Sequence, residues 1–137
     1  MRWTILLAVA FGCVMSALVD GMSLAPVYDQ LRPVVTMQGE IVARTPDSVT
    51  VHMWGSKNRE CRYIGIQAFS HLAGGLRQDT NIERVDQHTN GRTKPAGVYD
   101  IGTWRIHPIT GAQAASVYVQ HDCDGRVVLT EVAEVSL

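Results

Sequence analysis

The sequence has no run of basic residues and little charge of any kind. Its 12 lysines and arginines are balanced by 13 aspartates and glutamates, and charged residues make up 18% of the 137 residues. Because a protein that binds nucleic acid needs a basic patch or stripe, this distribution argues against a nucleic-acid partner. Hydrophobic residues make up 46% of the chain, which is typical of a folded domain with one added apolar segment.

Recognisable catalytic and metal-binding patterns are also missing. The sequence has no identifiable nucleophile loop, and the spacing of its histidines and cysteines matches neither a zinc finger nor a zinc ribbon. We therefore predict no catalytic residue, no metal site and no cofactor, and interpret the protein as a non-enzyme. Four acidic residues in regions expected to be loops are predicted to be solvated single charges: Asp79, Glu83, Asp86 and Asp100.

The apolar excess is concentrated near the amino terminus. Residues 4–19 carry no charge, follow Arg2 and precede Asp20. A segment of this kind enters the export pathway with its amino end inside the cell. We divide the chain into an anchor or signal peptide (residues 1–20), a linker (21–33) and a periplasmic domain (34–137).

The sequence leaves two fates open for this segment. A cut after Ala17 would place Met15 where signal peptidase prefers a small residue, and a cut after Ala25 would be followed by Pro26. Both sites are poor, so we favour an uncleaved, single-pass anchor in the inner membrane. The alternative is a signal peptide whose removal releases the domain into the periplasm.

The rest of the chain consists of short β-rich runs separated by turn signals. This pattern of short strands and turns predicts an all-β, antiparallel sandwich or barrel. Trp54 and Trp104 lie in alternating runs and are expected to be buried. The predicted strands are residues 35–44, 48–54, 61–69, 82–86, 103–107, 116–123 and 126–135.

The stretch "SVYVQHDCDGRVV" contains the strongest local signal. Asp-Gly between two alternating runs predicts a two-residue hairpin loop, which places Cys123 opposite Arg126, and Val117 opposite Val132. One face of the hairpin is then expected to point into the core. That face comprises Ala115, Val117, Val119, His121, Cys123, Val128 and Val132.

Three cysteines are present, and Cys13 lies inside the apolar segment. The remaining two, Cys61 and Cys123, belong to the exported domain, where a pair of strand cysteines normally forms a disulfide. We therefore predict a Cys61–Cys123 disulfide. The apolar residues after Cys61 have the opposite parity, which suggests a β-bulge early in that strand.

The alternative interpretation of the "HDC" strand is chemical. His121 and Cys123, together with Cys61 and His52, are the residues that a metal-binding protein or a thiol-dependent enzyme would use. Titration of free thiols separates this alternative from the structural disulfide.

Binding is expected to involve the least regular part of the domain, residues 70–102, because surface loops commonly carry recognition. This region has several polar and charged side chains in "RQDTNIER" and "HTNGRTK". The candidate binding residues are Arg77, Asp79, Arg84, Asn90, Arg92 and Lys94.

Two resemblances follow from these motifs. A late cysteine that ends an alternating "VYVQHDC" strand and pairs with an early one resembles immunoglobulin and fibronectin-like sandwiches. The amino-terminal anchor combined with "RECRYIGIQAF", "GTWRIHPITGA" and "VYVQHDCDGRVV" is similar to small, mostly uncharacterised proteins encoded by bacteriophages and prophages.

These resemblances imply an immunoglobulin-like antiparallel sandwich of about seven strands, preceded by one transmembrane or signal helix. They also imply a bacterial envelope setting. The expected function is that of a membrane-tethered periplasmic binding or structural module, as a phage-encoded envelope factor or a virion component. Its expected partner is an envelope or virion protein.

Overall fold

The computed structural model describes residues 24–86 and 93–137. A short helix, α1 (Ala25–Leu31), has no buried residue and falls in a compact unit that ends at Leu31. This helix lies within the predicted linker, residues 21–33. Pro26 is compatible with it, because a proline in the first turn of a helix removes no intrahelical hydrogen bond. The predicted anchor, residues 4–19, lies outside the described residues.

Seven antiparallel strands form the second unit, which begins at Arg32. The prediction of an all-β domain with about seven strands is therefore confirmed. A short 3-10 turn, Ala73–Gly75, follows the third strand. The strands are β1 (Val35–Thr45), β2 (Ser48–Lys57), β3 (Arg62–His71), β4 (Arg77–Arg84), β5 (Gly97–His107), β6 (Ala114–Cys123) and β7 (Arg126–Ser136).

The strands pair in the order β1-β2-β5-β4-β3-β6-β7 and form one curled sheet. Strand β4 forms the corner, because its first half pairs with β3 and its second half pairs with β5. The curl brings β1 and β7 close together. The Nη1 atom of Arg44 on β1 donates a hydrogen bond to the carbonyl of Ser136 on β7 over 2.8 Å.

The core lies on the concave side of this sheet. It is built largely from valine, together with residues such as Met53 on β2, Ile106 on β5 and Ala68 on β3, each of which has no exposed surface. Valine suits this position because its branched side chain packs well on a pleated surface. All seven residues of the predicted core face of the β6–β7 hairpin are buried.

The Asp-Gly hairpin is confirmed. Asp124 and Gly125 both have positive φ, 57° and 82°, as a two-residue primed turn requires. Cys123 faces Arg126 as predicted. The register then shifts by one residue between Val117 and Tyr118, so Val117 faces Ala133 and not Val132. The predicted register is therefore wrong beyond this bulge.

A second bulge confirms the parity argument for β3. The β3–β6 register shifts between Tyr63 and Gly65, which lets Cys61 and Ala68 both point into the core although their numbers differ in parity. Ile64 is the residue at the bulge and is 45% exposed. A bulge residue is left unpaired, which explains why an isoleucine in an apolar run faces solvent.

Two further expectations need correction. Trp104 packs against the core as predicted, whereas Trp54 is only partly buried and stacks on the imidazole of His52, with ring centroids 5.6 Å apart. Residues 70–102 are also more regular than expected, because β4 begins at Arg77 and β5 at Gly97.

Candidate functional site

The two domain cysteines lie at the end of the β3–β6 pair that is next to the Asp-Gly turn. Cys61 lies just before β3 and Cys123 ends β6, and their Sγ atoms are 2.10 Å apart, which is disulfide-bonding distance. Each residue is 6% exposed. The structure therefore brings together the pair predicted from the sequence, at a buried position that is unfavourable for a reactive thiolate.

His121 lies one inward position before Cys123 and is 3% exposed. The ring of Tyr63, its partner on β3, contacts it edge-on with centroids 5.9 Å apart. Burial, together with the positive charge of Lys57, lowers the pKa of His121 from 6.5 to about 4. The imidazole is therefore neutral at neutral pH.

The Nδ1 atom of His121 is buried and has no hydrogen-bond partner among the described residues. Nor does any group of three or more histidine, cysteine, aspartate or glutamate side chains in residues 24–86 and 93–137 have the placement needed to hold a metal ion.

Lys57, whose positive charge acts on this histidine, is a buried cation and is only 6% exposed. Its Nζ atom donates hydrogen bonds to the carbonyl oxygens of Cys61 and Lys94, each over 2.5 Å. Burial lowers the pKa of Lys57, while the negative charge of Glu60 opposes that effect. This position could not be predicted from the sequence, because the partners are backbone carbonyls and that of Lys94 is 37 positions away along the chain.

The outer side of β3, β4 and β6 carries a different cluster. The guanidinium of Arg77 stands 4.6 Å from the ring centroid of Phe69 and 5.1 Å from that of Tyr118. The two rings contact each other edge to face at 5.5 Å. We call this surface, formed by Gln67, Phe69, Arg77, Asp79 and Tyr118, the Arg77 face.

Hydrogen bonds fix the side chains around Arg77. The amide of Gln67 donates to Asp79 over 2.8 Å, and the hydroxyl of Tyr118 donates to Glu131 over 2.5 Å. Burial and the contact with Glu131 raise the pKa of Tyr118. Arg77 itself is exposed and forms no ion pair with a described residue. The Arg77 face therefore presents an ordered cation that has no carboxylate partner in the described chain.

The six predicted binding residues do not form one cluster. Arg77 and Asp79 lie together on the Arg77 face, on a strand and not on the predicted loop. Arg84 lies at the other end of β4, seven residues from Arg77, which is about 23 Å at the usual rise per residue of a strand. There it pairs with Asp86 and contacts the ring of Trp104.

Lys94 is placed elsewhere again, with its Nζ atom 4.8 Å from the centroid of the Tyr99 ring. Asn90 and Arg92 lie outside the described residues. Sequence reasoning missed Phe69 and Tyr118 as binding candidates.

A third polar cluster surrounds His52 on β2. Its Nδ1 atom is 3.1 Å from the hydroxyl of Thr103, and its Nε2 atom is 3.3 Å from the carboxylate of Asp100. A hydroxyl that contacts an imidazole, which in turn contacts a carboxylate, can act as a nucleophile. Catalysis also requires donors that stabilise an oxyanion.

The nearest backbone donors are already occupied. The amide of Gly102 donates to Asp100, and the amide of Thr103 donates to Asp86. The side chain of Asp100 is also 65% exposed, so water screens its charge. The His52 cluster is therefore best understood as a surface hydrogen-bond network.

Within residues 24–86 and 93–137, no helix has both the length and the apolar character required to cross a membrane. Comparison with known proteins gave no relative: no family model, no curated protein and no solved structure matches the chain.

Proposed function

We propose that this protein is a membrane-tethered periplasmic binding module that engages an envelope or virion protein through the Arg77 face. In this proposal residues 4–19 form the anchor, and the two halves of the curled sheet on either side of β4 are the layers of an immunoglobulin-like sandwich. The module has no chemical activity of its own. Its origin as a phage-encoded envelope factor is part of the same proposal.

Export is supported by the two domain cysteines. Cys61 and Cys123 lie at disulfide-bonding distance, and structural disulfides persist in oxidising compartments such as the periplasm. The uncharged run at residues 4–19 supplies a route to that compartment.

The observation that carries the binding role is the placement of Arg77. Arginine and tyrosine are enriched among the residues that dominate binding energy at interfaces. A guanidinium held over two rings loses little further conformational freedom when it binds, which lowers the entropic cost of association. Because Arg77 has no ion pair among the described residues, it can donate to a carboxylate of the partner without first breaking one.

The test is capture from envelope membranes with the tagged full-length chain. Captured proteins are identified by mass spectrometry, and binding of each purified candidate is then measured by calorimetry. We expect Arg77→Ala to weaken binding at least tenfold. Arg105→Ala is the matched control, because Arg105 is also exposed but pairs with Glu83 on the other half of the sheet.

Arg77→Lys refines this test, because lysine keeps the charge but lacks the planar group that stacks on both rings. An intermediate loss of affinity is expected. Equal binding by the Arg77→Ala variant and the parent chain would contradict the proposed surface. So would an equal loss of binding in the Arg105→Ala control.

A further inference from the structure

The segment Thr93–Ala96 is held against residues 57–63 by three polar contacts, and we call it the clasped segment. The Nζ atom of Lys57 donates to the carbonyl of Lys94 over 2.5 Å. The amide of Tyr63 donates to the hydroxyl of Thr93 over 3.1 Å, and the amide of Ala96 donates to a carboxylate oxygen of Glu60 over 2.7 Å. Of these three contacts, only the one from Lys57 comes from a buried side chain.

Lys57 also anchors the cysteine pair, because the same Nζ atom donates to the carbonyl of Cys61. The ammonium therefore links the end of β2 to two different segments. If it leaves this position, the clasped segment loses its part-buried hydrogen bond and keeps, of the three contacts, the two exposed ones.

His121 is the titratable group next to this ammonium. The groups that face it are the cation of Lys57 at the end of β2, the phenol of Tyr63 on β3, the uncharged Val128 on β7 and the cysteine pair. Further out, Glu60 acts on Lys57 and Arg84 acts on Tyr63. Among the described residues, no carboxylate contributes to the electrostatics of the imidazole itself.

We propose that His121 and Lys57 form an acid-sensitive clasp, in which protonation of His121 expels the Lys57 ammonium from the carbonyls of Cys61 and Lys94 and frees the clasped segment while the sheet stays folded.

The physical reason is the repulsion of two like charges at a buried site. A protonated His121 would also turn its unpartnered Nδ1 into a second donor that has no acceptor, which is costly in an apolar interior. The histidine lies on a strand that is paired on both sides and its short side chain is buried against Tyr63, whereas the lysine has a flexible four-carbon stem and can carry its charge to water. Lys57 is therefore the group that moves. Burial, which lowers the pKa of His121 to about 4, sets the range in which this happens.

The proposal goes beyond the binding role and does not depend on it, so it is tested on the isolated full-length chain without a partner. Amide signals are followed by nuclear magnetic resonance between pH 7 and pH 3.5, together with the ring signals of His121. We expect the Tyr63 amide to shift toward its unfolded value with the same midpoint as His121. The core amides of Val117 and Val119 should stay in place.

Three variants make the test specific. His121→Leu is expected to abolish the transition at Tyr63, and Lys57→Met is expected to show the released position already at pH 7. Glu60→Gln is the matched control, because Glu60 also contacts the clasped segment and carries a carboxylate. The transition should persist in that variant.

A Tyr63 signal that ignores the His121 midpoint would overturn the proposal. The same holds for a transition that survives in His121→Leu, or for core amides that move together with Tyr63. If His121→Leu does not fold, the parent chain and Glu60→Gln decide the matter, because a clasp requires matching His121 and Tyr63 midpoints in both.

Discussion

His121 is a neutral imidazole between two strands, and its burial links stability to pH. Its pKa is lowered from 6.5 to about 4 in the folded protein. The unfolded chain therefore binds more protons than the folded chain between these two values, and stability rises with pH in that window. Above pH 6.5 the contribution of His121 is complete. Below about pH 4 it is lost.

This linkage gives the first residue-scale prediction. Lowering the pH from 6.5 to 5 should reduce the free energy of unfolding by about 2 kcal/mol, since each pH unit in the window corresponds to about 1.4 kcal/mol. The measurement is urea unfolding at both pH values. His121→Leu should lose most of this slope, and an unchanged slope in that variant would contradict the assignment.

The two carboxylates whose pKa values are lowered, Glu83 and Asp122, titrate below the pH range of 5 to 6.5. Hydrogen bonds from His107 and Arg105 lower the pKa of Glu83, and those from Arg62 and the Gly125 amide lower the pKa of Asp122. Their contributions are present above the ordinary carboxyl pKa and are lost as the pH falls through the lowered values. That loss occurs below the pH range of the test.

At the scale of the element, the β1–β2 hairpin depends on close approach of its two backbones. A methyl group built on Gly55 of β2 would lie 2.7 Å from the Cα atom of Met37 and would also overlap the carbonyl oxygen of Thr36 on β1. Backbone atoms cannot move aside as a flexible side chain can. Gly55 is therefore required by space.

Gly55→Ala should accordingly lower the free energy of unfolding by about 3 kcal/mol or more, the upper end of the usual cost of overpacking. Gly65→Ala is the matched control, because Gly65 also lies in a strand but has no atom within 4 Å of the added methyl group. We expect that control to change stability by less than about 0.5 kcal/mol. Thermal and urea unfolding of both variants measure the difference. Equal stability of the two variants would show that the strands are further apart than described.

Local turn chemistry explains why some elements were predictable. The Asp-Gly loop fixed β6 and β7 near their turn, and the parity of the residues after Cys61 revealed the β3 bulge. Strand β4 was mostly missed because "RQDTNIER" lacks apolar alternation. As a corner strand it changes partners halfway, so packing on β3 and β5 defines it more than its own sequence does.

The candidate sites were less predictable than the strands. Arg77 and Asp79 were identified from their polarity, but the rings that hold Arg77 come from β3 and β6. Lys57 was missed because its partners are backbone carbonyls, which carry no residue-type signal, and one of them belongs to Lys94, 37 positions away along the chain. Contacts of this kind depend on tertiary closure and not on local pattern.

At the scale of the whole molecule, we propose that an export anchor precedes a domain that is closed by its cysteine pair. The chain between Cys61 and Cys123 spans 62 positions. A cross-link over such a loop stabilises a domain by about 4 kcal/mol in the chain-entropy model, a substantial part of a typical net stability of about 5–15 kcal/mol. Under the proposed export route, the oxidised cysteine pair and membrane attachment are expected together.

The most direct test of this central claim is the intact mass of the full-length chain, extracted from bacterial membranes and alkylated under denaturing conditions without reductant. The account predicts the mass of all 137 residues plus one alkyl group, on Cys13, because Cys61 and Cys123 are oxidised. With reductant, three alkyl groups are expected. A mature chain that begins at Leu18 or later would contradict the anchor, and three alkyl groups without reductant would contradict the disulfide.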